Sequence, residues 1–422
     1  MSKGWITTNL GNVANIYSGA TPSTTNPSYW GDAVAWITPD DLSKLKTRYI
    51  SRGERSLSKE GYDSITTPML PAGSVLISSR APIGYVALAG DEVCTNQGFK
   101  SLVLKTGHSP HFFYYLAKLL KPAFEAKAGI TTFKEISASN MARIKVTIPS
   151  NHEQQEKIAK PLSVLDSKIE HNNELIQMLE EQAQLVYDYW FMQFDFPDEN
   201  GRPYRSSGGK MVWSEELKRE IPEGWSVKPC GEVFGVTRGK SYSSEEIEKG
   251  STLMINLKNL APYGGYNRNM EKPYSGTFTA NHVAKEGDVL MGVTDMTRER
   301  RMVGYVLRVP HMEQECIFSM DLIKLLPIAV SPTFLYTSLY YGKYGKRFSP
   351  FAQGTNVLHL NPTAISRIPF VAPKKQVLEL ADSIFEGIYE KMDALEAENS
   401  LLAAQRDFLL PRLMSGEITV AE

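Results

Sequence analysis

The chain has 422 residues, 42% hydrophobic and 22% charged, an ordinary globular balance with length for two to three domains that each bury a core. A formal charge of −1 argues against a protein coated in basic residues, so any surface for a polyanion must be local and offset elsewhere. The odd, scattered cysteines Cys94, Cys230 and Cys316 argue against a disulfide framework or structural zinc, and no apolar run approaches the ~20 residues that span a bilayer, so a reducing, cytoplasmic setting is expected.

In chain order, the first ~150 residues hold short Val/Ile/Leu/Tyr-rich runs cut by Gly and Pro. Ser74–Ser78, Gly84–Ala89 and Ser101–Lys105 predict strands of a mixed sheet. Phe112–Leu120 predicts an aromatic-rich helix facing the core. After Pro149 the period changes. Ile158, Leu162, Leu165, Ile169, Asn172, Ile176, Leu179, Ala183, Val186 and Trp190 recur at alternating steps of four and three. That is a coiled-coil seam, with Asn172 as a polar residue that fixes register. Pro161 is expected to kink or restart this helix. From Phe196 to Gly209 the chain reads as a loop.

Beyond that loop the chain repeats itself. Trp5, Gly11-x-Val13 and Gly19 return as Trp225, Gly231-x-Val233 and Gly239, at an offset of 220 (225 − 5). Trp36–Leu42 answers to Met254–Leu260, Gly73–Leu76 to Gly287–Leu290, and Ile83–Val86 to Val303–Val306. Ser109-Pro110 and its aromatic run answer to Ser331-Pro332 and the aromatic helix predicted over Thr333–Tyr341. Arg143-Ile144 answers to Arg367-Ile368. A second stripe closes the chain: Ile384, Ile388, Met392, Leu395, Asn399, Leu402, Leu409 and Leu413. If the two helices pair, they run antiparallel and the C-terminus returns towards the first copy. The alternative is that each stripe is an ordinary core helix of its own domain.

The expected fold class is therefore α+β: two similar mixed α/β domains joined by two long helices in an antiparallel coiled coil. The domain boundaries are a first domain over residues 1–150, a central helical spacer over 151–196, a linker and second domain over 197–373, and a C-terminal helical spacer over 374–422.

Particular segments carry a family resemblance. Gly19-Ala20-Thr21-Pro22-Ser23, Tyr29-Trp30-Gly31 and Trp36-Ile37-Thr38-Pro39-Asp40-Asp41-Leu42 resemble the opening of a target-recognition domain of type I restriction–modification specificity subunits. Ile77–Gly84 and Cys94–Gly98 do so too. Tyr187-x-x-Trp190-Phe191-x-x-Phe194-Asp195-Phe196-Pro197 resembles that family's central region, and Leu409–Gly416 its C-terminal signature. Copy two departs from the pattern. It has no Thr-Pro loop after Gly239, has Phe318-Ser319 where copy one has Asn96-Gln97, and carries an inserted-looking Asp295–Arg301. The resemblance implies that each domain reads half of an asymmetric bipartite DNA target. It implies that the helices set the gap and bind two modification subunits, which carry S-adenosylmethionine and methylate adenine. A restriction (translocase/nuclease) subunit is a further possible partner, and no cofactor is expected on this chain.

The rival reading is an enzyme, an adenine methyltransferase or a nuclease with its own recognition domains. Asn26-Pro27-Ser28-Tyr29 resembles a methyltransferase motif but lacks a glycine-rich cofactor turn before it. Gly239-Lys240-Ser241 resembles the end of a P-loop, yet its leading glycine is replaced by Phe234. No metal-ligand spacing occurs.

DNA contact asks for Arg/Lys at phosphates and Asn/Gln/Arg at base edges. In copy one the candidates are Thr21, Thr38, Asp40, Arg80, Asn96, Gln97, Lys100, Thr131 and Lys134. In copy two they are Arg238, Lys240, Asn256, Lys258, Asn259, Arg298, Arg300, Arg301, Asn356 and His359. Arg80 and Arg298 stand out as loop residues beside strand ends.

Overall fold

A computed structural model describes residues 4–129 and 134–420. Its contacts divide the chain into two compact units, Met1–Leu175 with Glu396–Glu422, and Ile176–Leu395.

In the first unit Trp5–Asn9 pairs antiparallel with Lys145–Pro149, bringing the two ends of copy one together. A five-stranded sheet follows in the order Ala14–Ser18, Lys100–Leu104, Val75–Ser79, Ile83–Ala89, Tyr49–Ile50. Trp30–Ile37 lies between Ser56–Leu57 and Cys94–Thr95 in a smaller sheet, parallel to the latter. The aromatic helix runs over Pro110–Leu119, starting two residues before the predicted Phe112. Ser109 caps it by accepting from the Phe112 N–H at 3.1 Å, and Pro110 takes the first turn, where no donor is needed. Phe112, Phe113 and Tyr115 are buried with Val75, Ile77, Leu88 and Leu102, and also with Ile158, Leu162, Leu410, Leu413 and Met414.

The second unit repeats the plan with four strands in each of its two larger sheets, where the first has five and three. Ser226–Pro229 pairs with Pro369–Ala372. A sheet runs Phe234–Arg238, Leu322–Pro327, Val289–Gly292, Val306–Arg308, and Ile247–Ile255 pairs in parallel with Cys316–Phe318. The second aromatic helix is Pro332–Tyr341, capped by Ser331. A hairpin of Met211–Ser214 with Arg219–Pro222 lies within the stretch before Trp225. Trp225 packs among Phe191, Phe194 and Phe196 with centroids 5.2–5.9 Å apart. Tyr187, Phe191, Phe194 and Phe196, placed in the spacer by sequence, are thus part of this unit's core.

The long helices are His152–Tyr187, continued by a π-turn over Asp188–Met192, and Lys375–Ser415. The first is not restarted at Pro161, which lies inside it. Proline's fixed φ is helical and it forfeits only one backbone bond, while buried Ile158 and Leu162 anchor the turns on either side. Pro411 is likewise internal to the second helix.

Within the first unit the helices run antiparallel. Asn172 donates to Asn399 Oδ1 at 3.0 Å and to Glu398 at 2.7 Å, and Asn399 donates to Asn173 at 2.9 Å. Asp166 pairs with Arg406 at 2.7 Å and also accepts from Tyr115 Oη at 2.6 Å. Leu165, Ile169, Leu402 and Leu409 are half-buried along the same seam. In the second unit Leu179 and Met392 flank a core containing Ala183, Phe385 and Ile388, while Ile176 and Leu395 are half-buried. Both readings of the stripes hold in part: their middle is a helix–helix seam and their ends are domain core.

Each domain is also clamped to a long helix. Arg48 forms a two-point pair with Glu170, at 3.0 and 3.1 Å, and donates to Ser167 Oγ at 2.6 Å. In the second unit Asp393 takes Arg268 at 3.1 Å and Arg308 at 2.6 Å.

Candidate DNA-reading surfaces

In the first unit, five chain segments meet on one rim because glycines let backbones touch. A Cβ at Gly19 would collide with the carbonyl oxygens of Thr95 and Asn96. Ala20 N–H donates to Thr95 O at 2.9 Å, and Trp36 Nε1 to Ala20 O at 3.0 Å. This holds Thr21 against Gln97, with the hydroxyl donating to Gln97 Oε1. Asn96 accepts from Gly98 N–H at 2.8 Å, making a turn against Pro39. Thr38 caps a short helix reciprocally with Asp41, leaving Asp40 exposed in a pair with Lys44 at 2.7 Å. Thr21, Thr38, Asp40, Asn96 and Gln97 are therefore neighbours.

The adjoining part of the rim is charged. Ser79 N–H donates to Gly98 O at 2.7 Å, and the next residue, Arg80, reaches Glu135 at 3.5 Å. Lys100 departs from its expected role. Its ammonium is buried, bonded to Glu135 at 3.0 Å and to Phe99 O at 3.2 Å, so it serves an internal ion pair rather than an open contact. Burial would push the Glu135 carboxyl up, but hydrogen bonding and charge from Lys100, with the charge of Arg80, hold it below the ordinary value. Lys134 is exposed beside it. Thr131 lies outside the described residues.

The second unit uses the same wiring. A Cβ at Gly239 would strike Ser319 O, and Lys240 N–H donates to Phe318 O at 2.8 Å. Ser319 N–H donates to Ile255 O at 2.8 Å, as Asn96 N–H does to Ile37 O at 3.0 Å. Ser319 therefore occupies the place of Asn96, one step from the alignment read by sequence. Asn256 and Asn259 are corrected too. Both are buried, and Asn259 spends its amide on Asn267 O, Glu271 and Asn256, leaving nothing for a base. They are a capping pair that holds the turn, while Lys258 between them is exposed.

The inserted Asp295–Arg301 loop is organised by Asp295. Its fully buried carboxylate accepts from Thr297 N–H and Oγ1, both at 2.7 Å, from Met302 N–H at 2.6 Å and from Val303 N–H at 3.2 Å. Burial alone would raise its pKa, and these four donors pull it below the usual carboxylate value instead. Arg298 is exposed on this loop, Arg301 pairs with Glu299 at 3.5 Å, and Arg300 donates to Ser349 O at 3.1 Å. Thr294-Asp295 pairs with Leu358-His359, which closes the exposed 353–359 turn carrying Asn356. By register Thr294, not Arg298, stands where Arg80 does: Thr294 pairs with His359 as Arg80 does with Glu135.

Sequence reasoning missed Glu135, Gln353 and the Arg48–Glu170 clamp. Glu135 adjoined a chosen lysine, whereas no sequence signal marked Arg48 or Glu170. Arg55, stacked 3.3 Å over Trp30, was also unmarked. Among the described residues no helix is long and apolar enough to cross a membrane, and no group of three or more His, Cys, Asp or Glu is placed to hold a metal.

Comparison with known proteins agrees with this arrangement. Residues 2–181 match the type I restriction modification DNA specificity domain. The type I restriction enzyme MjaIX specificity subunit of Methanocaldococcus jannaschii is 28% identical, over 100% of this chain and 95% of the relative. The HindI specificity subunit of Haemophilus influenzae is 23% identical over 76% of this chain and 77% of its own. The crystal structure of the type I restriction–modification S subunit from M. genitalium has the same fold, with a TM-score of 0.56, 20% identity and coverage of 97% and 96%. Residues 2–181 therefore carry the likeness to a type I restriction modification DNA specificity domain, and over its whole length the chain is similar to a type I restriction enzyme specificity subunit.

Proposed function

We propose that each unit reads one half of an asymmetric, bipartite DNA target, with the long helices setting the gap and docking two modification subunits. The observation that carries this reading is the duplicated wiring, which gathers polar loops from distant segments onto one rim in each unit. A rim assembled from loops can vary its contacts without disturbing the sheet beneath. S-adenosylmethionine is then held by the modification subunits and not by this chain, and a restriction subunit is a further partner. The complex acts on DNA in the cytoplasm. Within the rims, Thr21, Thr38, Asn96 and Gln97 face base edges, as does Asn356, while Arg80, Lys134, Arg238, Lys240, Lys258 and Arg298 serve phosphates.

The test is to sequence the methylomes of cells with and without this gene, then of cells in which residues 1–150 are exchanged for the matching domain of a relative. One half of the methylated site should change and the other persist. A change in both halves together would overturn independent reading.

A further inference from the structure

The two rims differ at one structurally equivalent place. In the first unit Ser18 faces Lys100 across the sheet, and in the second Arg238 faces Ile323. Ile136 N–H donates to Ser79 O as Leu360 N–H does to Val293 O, so Glu135 and His359, each one residue earlier, are equivalents. The first unit therefore fills this place with its own ion pair, Lys100 with Glu135 at 3.0 Å. The second has an aliphatic residue and a histidine there, and its cation has moved to the facing strand. The outcome is a cavity of about 590 Å³ lined by Arg238, Gln353, His359 and Ile323, among others. Among the described residues, no hydrogen bond or ion pair occupies the side chains of Arg238, Gln353 or His359. Asp321, on the adjoining turn, accepts from Thr294 Oγ1 at 3.0 Å.

We propose that this cavity seats a backbone phosphate of the half-site read by the second unit, and that the first unit lacks such a seat because Lys100 and Glu135 occupy it. The proposal rests on the reading above that each unit engages DNA. Arg238 supplies a permanent charge with a planar fork of donors suited to a phosphate. His359 offers a ring N–H in either tautomer, and Gln353 offers an amide N–H₂. The apolar face of Ile323 removes the competition of solvent from one side, which strengthens a charge-assisted bond. A rim that keeps its cation unpaired until DNA arrives pays no cost of breaking an internal ion pair.

The experiment uses the full chain, a labelled duplex carrying the methylated site and a scrambled duplex, titrated from 50 to 200 mM salt. One phosphate contact contributes about 0.9 to the slope of log affinity against log salt. Arg238→Gln should therefore lose about 3.5-fold less affinity than wild type across that fourfold salt range, evenly over base-pair variants of the half-site. Ile323→Lys with His359→Glu, which rebuilds the first unit's pair, should flatten the slope similarly. Arg238 is exposed, so its variant should keep the wild-type melting curve and remain informative if the double variant fails to fold. An unchanged slope in Arg238→Gln with target preference intact would overturn the seat. A loss confined to one base pair would make Arg238 a base reader and overturn it as well. Equal binding of both duplexes by wild type would instead remove the reading beneath.

Discussion

Removing the carboxylate of Glu170 tests whether the first reading domain is held on its helix by one buried contact. Glu170 meets the Arg48 guanidinium at 3.0 and 3.1 Å, and the two side chains are 17% and 8% exposed. Burial opposes the charge on Arg48, yet its hydrogen bonds to Glu170 and that carboxylate's charge hold it firmly protonated. Glu170→Ala would strand this cation away from water, at a cost of roughly 3–5 kcal/mol for a broken buried pair. The unit it belongs to has about 200 residues, for which each kcal/mol moves the melting midpoint by about 2–4 °C. A fall of about 6–20 °C is expected in the transition of the first unit, followed by calorimetry of the full chain. Faster hydrogen exchange around residues 46–52 would localise it. Replacing both partners, as in Arg48→Met with Glu170→Leu, should recover most of the loss, because no unpaired charge remains. A shift under about 2 °C for Glu170→Ala would refute the clamp as a stabilising contact. So would a double variant as unstable as the single one.

Other outcomes follow from the same geometry. Asp393→Ala should be the counterpart in the second unit, releasing Arg268 and Arg308 and relaxing the second half-site alone in a methylome. Arg80→Ala should weaken binding about evenly across sequences and reduce the salt slope by roughly one; a loss confined to one base pair would make Arg80 a base reader. Glu135 has a folded pKa below its ordinary value of 4.5, so its ion pair stabilises the first unit above that pH, and the contribution is lost as pH falls through the folded value. Glu135→Gln should remove that part of the acid sensitivity in pH-dependent melting, and an identical pH profile would count against it. Adding one heptad to each long helix keeps the seam in register and lengthens it by roughly 10 Å. The recognised gap should widen by about three base pairs, with weaker binding because the groove also turns. A methylome with unchanged spacing would show that the helices do not set the gap.

The duplication, the two heptad stripes, the two aromatic helices and three strands of the first copy were legible in the sequence alone. Each rests on local periodicity or composition, and a repeat needs no knowledge of contacts. The tertiary structure alone decided which polar residues remain available. Lys100 and Asn259 look like contacts in sequence, but Glu135, 35 positions from Lys100, and Glu271, 12 positions from Asn259, consume them. Pro161 likewise reads as a break until the burial of Ile158 and Leu162 is seen to carry the helix through it. Burial and pairing depend on which distant segments meet, and that depends on strand register, so one lysine or asparagine is left exposed while another becomes a structural tie.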